Sequence, residues 1–162
     1  MSNYIDFASF YDRLMSDCDY DARCEYILRL FDRFGNKPKL MLDLACGTGS
    51  VTEILAKKGY QVMAVDMSED MLCQAMQKAE GHENQPCFVC QELQMLRLPR
   101  GVDLAVCALD SLDYITDPAD CEEALRRVYR VLNPGGIFIF DVNTPEKLRN
   151  MDGQGFIDED DD

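Results

Sequence analysis

The alternation of short apolar runs with amphipathic stretches most constrains the fold of this 162-residue chain. The apolar runs are residues 39–45, 60–66, 86–91, 102–108 and 137–142. Helical patterns separate most of them, and the short link 92–101 separates the third from the fourth. Strands without polar alternation are typically buried on both faces, which favours a parallel sheet between two helical layers. The sequence therefore predicts an α/β fold with a doubly wound, mostly parallel sheet.

Helical spacing also precedes the first strand, over residues 4–15 and 20–34. In the second of these helices the predicted buried face comprises Ile27, Leu30, Phe31 and Phe34. The later helices are predicted to run from Ser50 to Gly59, to begin after the N-cap Ser68, and to run from Pro118 to about Leu132. The turn Asn133-Pro-Gly-Gly136 is predicted to end the last of these before strand 137–142 begins.

The net charge of −14, from 30 acidic and 16 basic residues, argues against several classes of partner. Binding to nucleic acid needs clustered Lys and Arg side chains, and so does binding to an anionic membrane surface. No apolar run approaches the length of a membrane span, and the N-terminus shows no signal-peptide pattern. We therefore expect neither nucleic acid nor membrane as a partner.

The eight cysteines are dispersed along the chain, which is typical of reduced thiols in a cytoplasmic protein. Cys73, Cys87, Cys90 and Cys107 lie in apolar runs, where we expect small buried hydrophobic residues. Strand geometry places Cys87 and Cys90 on opposite faces, so we predict no metal site.

The segment after the first strand is rich in residues that suit a ligand. Asp43 is followed by Gly47 and Gly49, which allow a sharp turn and a close backbone approach. Asp66 ends the next strand 17 residues after Gly49, where a carboxylate can accept both hydroxyls of a ribose. A dinucleotide fingerprint would have a third glycine or alanine where this chain has Thr52, and Asp43 would repel a pyrophosphate. A cationic or zwitterionic nucleoside ligand fits better.

These motifs resemble those of the class I S-adenosylmethionine-dependent methyltransferases. LDLACGTG resembles their first motif, AVDMS the acidic end of their second strand, and NPGGIFIFDV their fifth-strand motif. FASFYDRLMSDCDY, CALDSLDYI and FDVNTPEKL resemble a bacterial group of small cytoplasmic methyltransferases. The resemblance implies a Rossmann-like sheet in the order 3-2-1-4-5 and S-adenosyl-L-methionine as the cofactor. It also implies a helical cap over residues 1–36, a cofactor-binding core over 37–145 and an acidic tail over 146–162.

The resemblance implies a set of cofactor-binding residues. They are Tyr11, Asp43, Ala45, Gly47, Gly49, Asp66, Met67, Gln91, Glu92, Leu93, Ala108 and Asp110. The glycines would line the methionine and ribose portion, and Asp43 would hold the loop or the ammonium group. Asp66 would bind the ribose hydroxyls. Met67 would pack on the adenine.

The remaining members of this set would surround the two ends of the cofactor. Glu92 with the backbone of Leu93, or alternatively Gln91, would meet the adenine edge. The segment from Ala108 to Asp110 would cover the methionine end. Tyr11 would close over the cofactor carboxylate, although the aromatic spacing of Tyr4, Phe7, Phe10 and Tyr11 is equally consistent with helix packing.

No catalytic residue is evident, because methyl transfer needs mainly proximity and orientation. If a base is required, the candidates are Asp110, Asp113 and Asp141, each of which could instead cap a loop. The single histidine, His82, lies in a polar loop that we expect at the surface. No Asn-Pro-Pro-aromatic motif follows the fourth strand and no Pro-Cys motif is present. This argues against methylation of DNA bases or of protein glutamine.

The sequence therefore favours methyl transfer to a small-molecule O or N acceptor by a monomer or homodimer. A non-catalytic, methyltransferase-like binding partner is the alternative, and an NAD-dependent oxidoreductase is a weaker one. The fold of the resembled family continues past its fifth strand with a helix and an antiparallel strand pair. Only residues 143–162 remain here. We therefore expect the C-terminal strands to be missing from a truncated chain.

Overall fold

A computed structural model describes residues 3–34 and 37–151. Its helices are α1 (Asn3–Leu14), α2 (Tyr20–Phe34), α3 (Ser50–Lys57), α4 (Glu69–Ala79), α5 (Pro118–Val131) and α6 (Pro145–Met151). Its strands are β1 (Leu40–Leu44), β2 (Gln61–Asp66), β3 (Cys87–Cys90), β4 (Val102–Cys107) and β5 (Leu132–Phe140). Residues 152–162, which make up most of the predicted acidic tail 146–162, lie outside the described residues, as do the side chains of Tyr4 and Phe7.

The strands form one sheet in the order β3-β2-β1-β4-β5, and every neighbouring pair is parallel. This confirms the predicted fold class and strand order. Parallel strands leave their carboxyl ends along one edge, so the loops after β1, β2, β3, β4 and β5 converge there.

The side chains of β1 divide the core between the two faces of the sheet. Leu42 and Leu44 pack on the face covered by α5, together with Val128. Met41 packs on the opposite face with Ile27 of α2 and Leu55 of α3. Asp43 alternates with Leu42 and Leu44, and it therefore lies on the α2–α3 side with Met41.

The fifth strand begins earlier than the sequence indicated. Leu132 already pairs with Val102, and the register then shifts before Leu104 pairs with Ile137. Asn133-Pro-Gly-Gly136 is therefore an irregularity within β5 and not a turn before it, and the strand ends at Phe140 instead of residue 142. The parallel neighbour β4 starts at Val102 and provides a partner for Leu132.

The buried face of α2 also differs from the prediction. Ile27 and Phe31 are buried with Cys24, whereas Phe34 is 69% exposed. Phe34 is the last residue of the helix, and its ring lies outside both clusters of core residues.

The expectation that Cys73, Cys87 and Cys90 are buried is wrong, whereas Cys107 is buried. Cys87 and Cys90 lie on β3, an edge strand with a partner on one side only. Within the described ranges, no three His, Cys, Asp or Glu side chains form a group that could hold a metal ion. Nor is any helix in those ranges long and apolar enough to cross a membrane.

Candidate functional site

The loop after β1 turns through three residues with left-handed backbone geometry. Ala45, Gly47 and Gly49 have φ angles of 53°, 55° and 77°. The two glycines are needed for different reasons. A Cβ on Gly49 would lie 2.8 Å from Cβ of Ala75, so this glycine allows the loop to pack against α4. A Cβ on Gly47 would meet nothing within 4 Å, so this glycine faces open space through which a ligand can approach.

Asp66 connects the ends of β1 and β2. Its Oδ2 accepts a hydrogen bond from the amide of Gly47 at 2.8 Å, and its Oδ1 accepts one from the amide of Ser68 at 2.9 Å. Ser68 caps α4 as predicted, because its hydroxyl accepts a bond from the amide of Met71. A carboxylate has about four lone-pair sites, so each oxygen of Asp66 keeps acceptor capacity for a ligand hydroxyl. Met67 beside it is 71% exposed.

Asp43 is a buried acid beneath the same loop, with 2% of its surface exposed. The hydroxyl of Thr52 donates a hydrogen bond to its Oδ2 at 2.5 Å. Burial raises the pKa of Asp43 to about 7, although the bond from Thr52 acts in the opposite direction. Thr52 is therefore the hydrogen-bonding partner of Asp43, which accounts for a threonine where a dinucleotide site has glycine.

Helices α1 and α2 cover this loop. Tyr11 and Tyr20 line a cavity of about 40 Å³ with Asp43, Ala45, Gly47, Thr48, Ala108, Leu109 and Ser111, among others. Burial raises the pKa of Tyr11, with the neighbouring Tyr114 hydroxyl adding to the effect, and it raises that of Tyr20 to about 12. Both hydroxyls therefore stay protonated at neutral pH and can donate hydrogen bonds.

Asp12 holds α1 in place, although no sequence pattern distinguishes it as a site residue. Its Oδ1 accepts a 2.6 Å hydrogen bond from the hydroxyl of Thr48, and its Oδ2 pairs with the ammonium of Lys78 on α4. In the sequence, Asp12 cannot be distinguished from an aspartate on the solvent-facing side of an amphipathic helix. Only the path of α1 across the glycine loop makes it a contact residue.

Of the three predicted site residues after β3, Gln91 and Leu93 have structural contacts, and Glu92 is an exposed carboxylate. Gln91 accepts from the amide of Arg97 at 2.9 Å and donates to its carbonyl at 3.2 Å, so its side chain holds the following turn. Leu93 is buried in the core. Glu92 is exposed and accepts a bond from Gln94, which leaves it accessible at the edge where an adenine is expected.

Each of the three candidate bases is engaged by the protein. Asp141 accepts from Arg23 at 2.7 Å and from the amide of Asp110 at 3.0 Å. Asp113 accepts from the amide and the side chain of Asn143, at 3.0 and 2.8 Å. Lys147 lies 3.3 Å from the Asp110 carboxylate. The structure thus gives all three carboxylates a local role in holding loops.

The predicted cofactor-binding residues lie at or after the carboxyl ends of the first four strands or, for Tyr11, on α1. The predicted residues that line the cavity are Tyr11, Asp43, Ala45, Gly47 and Ala108. Gly49 packs against α4, and Leu93, whose backbone was predicted to meet the adenine, buries its side chain in the core. His82 occupies the predicted loop, but its side chain is only 20% exposed, with Nε2 3.8 Å from Glu53. That distance is too long for a hydrogen bond, so His82 packs beside α3, away from the glycine loop.

A parallel sheet with a glycine loop after β1 and a carboxylate at the end of β2 is typical of nucleoside-binding α/β domains. Comparison with known proteins identifies the family within this class. The family model described as "Methyltransferase domain" matches residues 41–136, more than half of the chain. The chain therefore belongs to the methyltransferase domain family.

Individual relatives agree with this assignment. The protein YqeM of Bacillus subtilis (strain 168), which carries a methyltransferase name, is 38% identical over 162 residues, covering 98% of this chain and 63% of that protein. A methyltransferase-named protein of Geobacillus sp. (strain WCH70) is 33% identical, covering 91% of this chain and 60% of its own length. The chain thus spans less than two thirds of the length of these relatives.

A solved structure matches over nearly the whole chain. An S-adenosylmethionine-dependent methyltransferase from Clostridium acetobutylicum ATCC 824 has a TM-score of 0.85 and 38% identity, covering 98% of this chain and 65% of that one. The resemblance inferred from the sequence is confirmed. S-adenosylmethionine is confirmed as the cofactor of the class.

Proposed function

We propose that the protein containing this chain transfers a methyl group from S-adenosylmethionine to a small-molecule O or N acceptor. The observation that carries the proposal is the bond between Gly47 and Asp66. It places a backbone open to ligand approach beside a carboxylate with free acceptor capacity. Family membership and the 38% identical S-adenosylmethionine-dependent structure support it.

The described residues fit this cofactor at each of its parts. Asp66 would accept the ribose hydroxyls, the exposed side chain of Met67 would pack on adenine, and Glu92 would meet the adenine edge. The buried carboxylate of Asp43 and the hydroxyls of Tyr11 and Tyr20 surround the cavity expected to hold the methionine end. When bound, S-adenosylmethionine supplies an electrophilic methyl group on a positively charged sulfur.

The space beneath α1 is small for this task. Ligand sites commonly have volumes of roughly 300–1,000 Å³, whereas this cavity has about 40 Å³. We therefore expect α1 to move outward when the methionine end enters. Asp12, bonded to Thr48 and Lys78, holds α1 against the glycine loop.

Orientation of the acceptor would supply most of the rate in this proposal. Asp110, Asp113 and Asp141 are all engaged in loop contacts, so we assign none of them as an obligatory base. An acceptor amine or hydroxyl would lose its proton to water, or to the carboxylate of Asp110 or Asp113, after alignment. The nicotinamide alternative gains no support from the site, because Thr52, bonded to Asp43, stands where a dinucleotide fingerprint has glycine.

Calorimetric titration of the 162-residue protein with S-adenosylmethionine and with S-adenosylhomocysteine tests the cofactor proposal. We expect both to bind with one-to-one stoichiometry, and NADH fluorescence to show no binding. A folded protein, verified by circular dichroism, that binds neither compound would overturn the proposal.

The acceptor class needs a separate measurement. Protein incubated with methyl-labelled S-adenosylmethionine and a bacterial extract should place label in the small-molecule fraction. Label confined to nucleic acid or protein would contradict the acceptor class, and cofactor binding without transfer to any fraction would favour the non-catalytic alternative. Protein with Asp66 replaced by alanine provides the background for this experiment.

A further inference from the structure

The loop after β4 contains two consecutive residues in an unfavourable backbone conformation. Leu109 and Asp110 have φ angles of 65° and 57°, and neither is a glycine. Left-handed geometry is costly for residues with a side chain, especially for one as large as leucine. Such strain persists only where surrounding contacts impose it, and it is concentrated at ligand-binding sites.

The carboxylate of Asp141 supplies one of these contacts. Its Oδ1 accepts a hydrogen bond from the strained amide of Asp110 at 3.0 Å. Its Oδ2 pairs with Nη1 of Arg23, on α2, at 2.7 Å. One carboxylate thus links the segment after β5, the loop after β4 and the helical cap.

A second contact links the same two segments, but here the accepting carboxylate comes from the segment after β4. Asp113, from the β4 side, accepts from both the amide and the side chain of Asn143, on the β5 side. Within the loop, the hydroxyl of Ser111 donates to the carbonyl of Ala108 at 2.8 Å. Each of the two segments therefore provides a carboxylate to the other.

The strained loop is part of the wall of the candidate site. Ala108, Leu109 and Ser111 line the same cavity as Tyr11 and Gly47. A displacement of Asp110 would carry Leu109 with it and change the shape of this wall. The conformation at Asp110 is therefore coupled to the space available for the cofactor.

We propose that Asp141 is a positioning residue that holds the loop 108–111 in its strained conformation against the cofactor cavity, and that Arg23 orients it. The inference rests on the proposed function for its ligand, and it assigns Asp141 no role in proton transfer. Both oxygens already accept hydrogen bonds, one from a cation and one from a backbone amide.

Three variants separate the contacts. Asp141→Ala removes both, Asp141→Asn keeps a carbonyl oxygen that can accept from Asp110, and Arg23→Met removes only the cation. Asp103→Ala is the matched control. Asp103 also bonds to backbone, at the amides of Lys39 and Leu40, and to the side chain of Asn133, but at the opposite edge of the sheet.

Amide hydrogen exchange of the ligand-free protein and calorimetry with S-adenosylhomocysteine are the two readouts. We expect Asp141→Ala to accelerate exchange in the peptide 108–114 at least tenfold and to raise the dissociation constant at least fivefold. Asp141→Asn and Arg23→Met both lose the ion pair but keep an oxygen that accepts from the amide of Asp110, so each should give intermediate values. Asp103→Ala should lower the urea midpoint while leaving exchange in 108–114 and the dissociation constant unchanged.

Wild-type exchange and affinity in folded Asp141→Ala would overturn the proposal, and so would equal effects of Asp103→Ala. If Asp141→Ala does not fold, Asp141→Asn and Arg23→Met decide: wild-type loop exchange in both of these variants would overturn the proposal. If wild-type protein binds no S-adenosylhomocysteine, the proposed function fails. Loop exchange then still decides whether Asp141 holds the loop.

Discussion

The amide of Gly47 donates a 2.8 Å hydrogen bond to the carboxylate of Asp66, and this bond joins the loop after β1 to the end of β2. The carboxylate therefore fixes the position of the glycine loop before any ligand arrives. Preorganisation of this kind reduces the ordering cost of binding.

Replacement of Asp66 by alanine should weaken S-adenosylmethionine binding by more than tenfold. The variant loses the expected acceptor for the ribose hydroxyls and releases the amides of Gly47 and Ser68. Calorimetry measures the change. Glu69→Ala, an exposed acid in the first turn of α4, is the charge-matched control and should bind like wild type. Equal affinities of Asp66→Ala and Glu69→Ala would contradict the ribose assignment.

Alanine substitutions at three glycines should separate stability from binding. All three residues have positive φ, so each substitution should cost about 1–2 kcal/mol of backbone strain. Gly49→Ala should cost more, because its Cβ would clash with Ala75. Gly47→Ala and Gly59→Ala introduce no such contact and should be similarly stable in urea. Only Gly47→Ala should lose cofactor affinity, so unchanged binding would indicate that the open space is not the ligand path.

The free energy of unfolding of Asp43→Asn, relative to that of wild type, should increase as pH rises. The pKa of Asp43 is about 7 in the folded state, against a usual value of 3.8. Between pH 3.8 and about 7 the folded state therefore binds a proton that the unfolded state has released. The stability gained from this proton is fully present below pH 3.8. It is lost as pH rises through about 7, by at most about 1.4 kcal/mol per pH unit.

Urea denaturation at pH 5.5 and pH 8 measures this difference between Asp43→Asn and wild type. The advantage of the variant should be larger at pH 8, where the buried wild-type carboxylate is ionised. We also expect weaker binding of the cationic cofactor by the variant, because the negative charge has been removed. A stability difference that does not vary with pH would contradict the raised pKa.

Asp12→Ala should loosen α1, because it removes the bonds from Thr48 and Lys78. Limited trypsin digestion at Arg13 should accelerate at least threefold, and S-adenosylhomocysteine should slow it if the bound cofactor packs against α1. Asp17→Ala, in the exposed turn after α1, is the control. Equal cleavage rates in the two variants would show that Asp12 does not hold the helix.

Local sequence patterns sufficed to predict the α/β class and the approximate positions of all five strands. Period and polarity are properties of neighbouring residues, so apolar runs such as 102–108 identify buried strands directly. Gly47 and Asp66 were also identifiable, because both follow strands whose carboxyl ends must converge in a parallel sheet. The strand order came from the family resemblance, and the hydrogen-bonded sheet confirms it.

Edges and helix ends required the tertiary structure. Cys87 and Cys90 are exposed because β3 has one neighbour, and Phe34 is exposed because α2 ends there. An apolar run in a sequence does not indicate whether its strand is central or at an edge. The prediction of buried thiols failed at Cys87 and Cys90 for this reason.

The sequence by itself determined the layers of the fold and the residue types at the carboxyl edge of the sheet. Only the tertiary structure decided which of these residues are partners: Asp43 with Thr52, Asp12 with Thr48, and Asp141 with Arg23, which lie 118 residues apart. The physical reason is that periodicity constrains side chains along one element. Hydrogen bonds between elements, in contrast, depend on the three-dimensional path that brings them together.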